Sequence, residues 1–158
     1  WPERIGDVGI VKDSAIHDLD AMRFLVGDVE SVYAKVGSLG HRFEDYVEAI
    51  LHFKSGVTGF IEANWLTPRK IRSLIITGSE ATASLDYISQ EVLIEDSEKV
   101  LQPTVKWEEP LMRELKHFID VILGRGNLLL TADDGVEALK ICEAILKSGY
   151  KGEKVYLR

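Results

Sequence analysis

The sequence holds one cysteine, Cys142, in 158 residues. An internal disulfide is excluded, and with it the disulfide-stapled secreted class; a reducing, cytoplasmic location fits. Long apolar runs are also missing. The longest are a few residues, such as Leu74-Ile75-Ile76 and Val121-Ile122-Leu123, against the ~18 that a membrane-spanning helix needs. No Lys- or Arg-led apolar segment opens the chain, so neither a signal peptide nor a membrane partner is expected. Basic blocks are absent. Nineteen Lys+Arg face 26 Asp+Glu, a net charge of −7, so no nucleic-acid partner is expected. Gly-x-Ser-x-Gly, Cys-x-x-Cys and His-Glu-x-x-His do not occur, nor does Gly-x-Gly-x-x-Gly after a strand, the turn that would cradle dinucleotide phosphates. The chain opens at Trp1 with no Met, which reads as a piece of a longer protein.

What is present is an ordinary globular mix, 46% hydrophobic and 28% charged. That excludes a disordered chain, and the length suits one domain. Residues 14–26 place Ala15, Ile16, Leu19, Met22 and Val26 on one side at helical spacing, with Asp13 or Ser14 as N-cap and Gly27 as the stop. The period then changes to two. Residues 29–37, 46–54, 57–65, 71–77, 82–87 and 91–95 read as strands, with 100–101 as a further short one. Ser55-Gly56 is a hairpin signal. Helical period returns over 111–123, behind Pro110, and over 132–148, where Val136, Leu139, Cys142, Ile145 and Leu146 form a stripe. Residues 154–157 close as a strand. This order predicts an α+β fold, a large open and mostly antiparallel sheet with helices on one face. On the uncovered face Ile50 and Phe60 fall on the more polar phase. They are either an association surface or scattered exposed residues.

The most pointed cluster is Asp13-Ser14-Ala15-Ile16-His17-Asp18-Leu19-Asp20. On a helix, Asp13, His17, Asp20 and Phe24 share a sector of ~60°. A histidine one turn from an aspartate suits general acid–base chemistry. The same spacing could hold a metal through His17, Asp13 and Asp20, or be a solvated helix face. His41, His52 and His117 stand singly and read as structural, and Cys142 as a buried small hydrophobe. The run from Asn64 through Trp65 to Arg69 and Lys70 is either a sugar or phosphate contact or a solvated loop with Trp65 packed.

The run Gly9-Ile10-Val11-Lys12-Asp13-Ser14-Ala15-Ile16-His17-Asp18-Leu19-Asp20, with Ile75-Ile76-Thr77-Gly78-Ser79-Glu80-Ala81-Thr82-Ala83, resembles the C-terminal domain of the Gfo/Idh/MocA oxidoreductases. His117-Phe118-Ile119-Asp120 and Ala132-Asp133-Asp134-Gly135-Val136-Glu137-Ala138-Leu139 match as well, so the resemblance covers nearly the whole chain. The opening Pro2-Glu3-Arg4-Ile5-Gly6-Asp7-Val8-Gly9 is similar to the branch acting on nucleotide-linked sugars, the UDP-N-acetylglucosamine 3-dehydrogenases. The resemblance implies that residues 1–158 are a substrate-binding and oligomerisation domain, and that an N-terminal Rossmann domain binding NAD or NADP is absent from this chain. It implies oxidation of a secondary hydroxyl of a sugar, polyol or nucleotide-sugar. His17 would be the acid–base residue, and Asp13 would orient it or bind substrate hydroxyls. Arg4, Arg69 and Lys70 are the cations available to a substrate phosphate. The family's catalytic lysine lies in a Glu-Lys-Pro motif that does not occur here, so this chain alone is expected to be inactive and not to bind NAD appreciably. A homo-dimer or homo-tetramer through the open sheet face is expected. The alternative is a non-catalytic sugar-binding or assembly module lacking a Rossmann half.

Overall fold

The alternation along residues 29–64 builds a hairpin-linked antiparallel sheet in the computed structural model. β1 (Val29–Gly37), β2 (Tyr46–Phe53), β3 (Thr58–Asn64) and β8 (Val155–Tyr156) stand in the order β3-β2-β1-β8. The structure describes residues 7–157; Arg4 lies outside them. The chain divides into two compact units. One holds the residues up to Thr67 and from Leu129 onward; the other is Pro68–Leu128.

In the first unit Ser55-Gly56 makes the expected hairpin. Gly56 sits at φ +87°, where a side chain would be strained, and its N–H donates to Phe53 O. One sheet face buries Val32, Ala34, Val36, Val47, Ala49, Leu51, Phe53 and Ile61. They share a core with Leu19 of α1 (Ile16–Val26) and with Ile141, Cys142 and Ile145 of α3 (Ala132–Lys151). The helices of this unit thus cover one face. Across the other runs a row of direct cross-strand neighbours, Tyr33, Ile50 and Phe60, which are 48%, 36% and 74% exposed.

Two contacts seat α3 on β1. β8 pairs only with Ser31 and Val32, so the next ladder donor on that side has no strand neighbour. The buried Ser148 hydroxyl takes its place, accepting from the Ala34 N–H at 2.9 Å and donating to Glu153 O at 2.6 Å. Gly149 then lies so close to β1 that a Cβ there would stand 2.7 Å from Val36 Cγ2. The sequence places this helix over 132–148, with Gly149 and Gly152 closing it. The helix instead runs through Gly149 to Lys151, and Gly152, at φ +68°, ends it.

The first helix also departs from its expected limits. Val11–Ala15 form a π turn that leads directly into α1. Asp13 and Ser14, expected as N-caps, lie inside that turn, because the cap comes from elsewhere in the chain.

In the second unit β4 (Ser73–Thr77), β5 (Thr82–Asp86), β6 (Glu91–Glu95) and β7 (Val100–Leu101) form an antiparallel meander, followed by α2 (Pro110–Ile122). The α+β class and the antiparallel pairing are as expected, and the strands stand in two four-stranded sheets. The interruption is local. Asn64 Oδ1 accepts the N–H groups of Leu66 and Thr67, both at 3.0 Å, which turns the chain at the end of β3 just ahead of Pro68. Among the described residues no helix is long and apolar enough to cross a membrane.

Candidate active site

The helix carrying Asp13 and His17 begins in a mould built by residues distant in sequence. Val11 is fully buried. Its N–H donates to Glu44 Oε1 at 3.3 Å, and its carbonyl accepts the π-turn N–H of Ile16 and the Cys142 thiol, Sγ at 3.6 Å. The Ile10 N–H donates to Glu44 O at 3.0 Å, and the Asp13 N–H to Gly9 O at 3.1 Å. The buried Glu44 carboxylate also accepts from Tyr150 Oη at 3.4 Å. Gly9 makes room for it, since a Cβ there would fall 2.0 Å from Glu44 Cδ. Lys12 pairs with Glu143 of α3. Burial pushes the Cys142 thiol up to about 12, so it serves here as a protonated donor and not as a nucleophile.

On the outer side of this helix Asp13 and His17 are both exposed, Asp20 is half-buried, and Phe24 is 74% exposed. Asp13 Oδ2 accepts from Ser14 Oγ at 2.9 Å. Among the described residues no hydrogen bond joins Asp13 to His17, and no three His, Cys, Asp or Glu side chains gather as a metal site. Arg69 and Lys70 are exposed residues of the second unit. A groove of about 910 Å³ lies along α3 and β8, beside Leu139, Lys147 and Tyr156. A small cavity of about 30 Å³ lies at Arg23, Asp28 and Lys54. Neither of these two hollows is lined by Asp13 or His17. An exposed imidazole with a carboxylate one turn away can take a proton from a hydroxyl and return it.

A histidine–carboxylate contact elsewhere, not expected from the sequence, orders the β1–β2 loop. Asp45 is fully buried. It accepts the N–H groups of Leu39 and Gly40 at 2.7 and 2.8 Å and faces His41 Nδ1 at 3.1 Å. Burial pushes its carboxyl up, but the two backbone donors and His41 outweigh it and hold the group below its ordinary value. The His41 ring meets Trp65 edge-on at 5.7 Å. Trp65 is 7% exposed and donates its N–H to Asp45 O, so of the two readings of the 64–70 run, Trp65 is packed. The adjacent carboxylates Glu44-Asp45 at the mouth of a strand were the available signal for both contacts.

A pH dependence follows. At the start of α3 the backbone N–H of Thr131, its hydroxyl and Arg23 bring Asp134 down to about 2. Asp45 and Asp134 thus ionise below the ordinary ~3.9 of an aspartate. The stability they contribute is complete above about pH 4 and is lost as pH falls below it, for Asp134 toward about 2. Tm measured across that window should fall, and less steeply in Asp134→Asn. Equal slopes for the two proteins would contradict the assignment to Asp134.

The dinucleotide implied by the resemblance finds no cradle among the described residues. Its pyrophosphate would need a helix N-terminus with free N–H groups. Glu44 caps the turn leading into α1. Glu109 accepts the Met112 N–H at the start of α2, and Thr131 and Asp134 cap each other at the start of α3. Each of these starts thus already has a carboxylate or hydroxyl of this chain where a phosphate oxygen would sit.

Residues 1–84 match the family model of the GFO/IDH/MocA C-terminal domain. The chain is 27% identical to a D-apiose dehydrogenase of Paraburkholderia graminis, over 94% of its own length and 45% of the relative's. It spans about half the length of the curated relatives it matches. The solved WlbA dehydrogenase from Bordetella pertussis, in complex with NADH and UDP-GlcNAcA, is 27% identical with a TM-score of 0.75, over 96% of this chain and 46% of that one. UDP-N-acetylglucosamine 3-dehydrogenase GnnA from Acidithiobacillus ferrooxidans shares the fold, with a TM-score of 0.87 at 19% identity, over 94% of this chain and 49% of that one. Given the helix–strands–helices order and a family match over residues 1–84, which takes in the Asp13–His17 helix and strands β1 to β3, the chain belongs to the GFO/IDH/MocA C-terminal domain family.

Proposed function

We propose that this chain is the substrate-binding and oligomerisation domain of an NAD(P)-dependent oxidoreductase that oxidises a secondary hydroxyl of a sugar, polyol or nucleotide-sugar. One observation carries the reading. In a chain of this family, Asp13 and His17 stand exposed one turn apart on a helix whose start is pinned into the core. His17 takes the hydroxyl proton, and Asp13 accepts hydrogen bonds from substrate hydroxyls and offsets the charge of the imidazolium. The hydride acceptor is NAD or NADP, held by a Rossmann domain outside this chain, and the cofactor carries that half of the chemistry. The nucleotide-sugar branch is supported by the 27% likeness to WlbA dehydrogenase, and a free sugar by the 27% likeness to D-apiose dehydrogenase. In the first case the cations proposed for a diphosphate are Arg4, Arg69 and Lys70, of which Arg69 and Lys70 are exposed. The unpaired, buried Cys142 supports a cytoplasmic location.

The test is an assay of the full-length protein with NAD⁺ or NADP⁺ against UDP-N-acetylglucosamine, its uronate and D-apiose, reading the reduced nicotinamide. One of these substrates should reduce one of the cofactors. The chain 1–158 alone should be inactive and show no NAD binding by calorimetry. Sugar binding by the full-length protein without any cofactor reduction would favour a non-catalytic module instead.

The exposed row Tyr33, Ile50 and Phe60 supports pairing of this sheet face with a second copy, as a dimer or a dimer of dimers. Light scattering at micromolar concentration should show a dimer or tetramer, and Phe60→Lys should shift it toward monomer. A monomeric wild type would count against the pairing.

A further inference from the structure

We propose that Glu44 is a positioning residue for the Asp13–His17 pair, a role that rests on the acid–base reading of that pair. Three observations point to it. First, Glu44 is buried, at 4% exposure, and its carboxylate is spent on the helix start, accepting the Val11 N–H at 3.3 Å while its own carbonyl accepts the Ile10 N–H at 3.0 Å. Second, the residue so held opens the π turn. The Val11 carbonyl accepts the N–H of Ile16, five residues on, and Asp13 lies inside this widened turn with His17 just beyond it. Single π turns inside α-helices are frequent at functional sites, because an extra residue re-aims the side chains on the wide turn. Third, the fit is specific to a glycine. A Cβ on Gly9 would lie 2.0 Å from Glu44 Cδ and 2.0 Å from Oε1. Carboxylate, glycine and π turn form one unit, completed by the Tyr150 hydroxyl at 3.4 Å from Oε2 and by Cys142 Sγ at 3.6 Å from Val11 O.

An ordinary cap lowers helix stability when lost. This one, in addition, sets where a carboxylate and an imidazole meet a substrate. Loss of the acceptor would leave the Val11 N–H buried and unsatisfied, and the turn would relax toward the i→i−4 pattern, moving Asp13 relative to His17. Displacements of about 1 Å outside the reacting groups cost on the order of 10²-fold in rate.

The experiment uses the full-length protein with the substrate found in the assay above. Glu44→Ala should lower kcat about 10–100-fold with KM little changed, because the substrate still binds but is met in the wrong geometry. Glu44→Gln keeps an oxygen acceptor at the same reach and should restore most of the turnover, which separates the hydrogen bond from the charge. Gly9→Ala, which pushes the carboxylate out, should reproduce the kcat loss. In the Glu44→Ala background, where the added methyl has room, it should cost nothing further. Amide exchange across residues 10–17 should accelerate in Glu44→Ala and Gly9→Ala alike. Should Glu44→Ala fail to fold, Glu44→Gln and Gly9→Ala carry the test. Normal kcat in folded Glu44→Ala or Gly9→Ala, with His17→Ala inactive, would overturn the role of Glu44 and leave the site intact. Full turnover in His17→Ala would remove the site itself.

Discussion

Replacing His17 by Ala in the full-length protein is expected to lower kcat by about 10²–10⁴, the usual worth of a general acid–base group. The structure makes this a clean measurement. His17 is exposed and, among the described residues, its imidazole holds no hydrogen bond or ion pair, so its removal should leave stability within about 0.5 kcal/mol. A loss of turnover then reports chemistry and not folding. Asp13→Asn should lower kcat less and raise KM, because the amide keeps one acceptor and loses the carboxylate charge one turn from the imidazole. Wild-type turnover in His17→Ala, with unchanged Tm, would remove the imidazole from the mechanism.

The second large effect lies on the opposite face of the same helix. Leu19, two residues past His17, is fully buried among Val11, Ala15 and the sheet residues. Leu19→Ala should cost about 2–5 kcal/mol, the lost transfer free energy plus the cavity left behind. Urea unfolding should show a lower midpoint, by most of the margin that a small domain possesses. A cost under about 1 kcal/mol would mean that the site collapses around the smaller side chain. Two substitutions two positions apart thus separate what holds the helix from what the helix presents.

Much of this arrangement is legible in the sequence, and the exceptions share a cause. Strands β1 to β3 and the Ser55-Gly56 hairpin follow from local alternation and a glycine with positive φ. The shared side of Asp13 and His17 follows from their spacing. The helix start does not, because its cap is Glu44, 33 positions from Val11. An aspartate and a serine at 13 and 14 are good local caps, and local preference gave way to a buried acceptor from the β1–β2 loop. Asp45 and His41 are near each other in sequence, yet only the folded loop brings in Trp65 as their third neighbour. The division into two sheets was hidden for a similar reason. Alternation shows which residues extend, while the Asn64 side chain decides that β3 stops. Glycine misleads at 149, where it reads as a terminator but serves as a point of close approach to Val36.

The seat of α3 on β1 has a mechanical consequence. The Ser148 hydroxyl reaches one particular amide, that of Ala34, and the missing side chain of Gly149 faces one particular neighbour, Val36. Sliding the helix by a single position would strand that amide in a dry interior and drive a larger side chain into the valine. Helix and strand therefore behave like a key with two teeth, able to engage at one depth only. Because Cys142 and Glu143 ride on the same helix and grip Val11 and Lys12, that depth is passed on to the turn in which Asp13 stands.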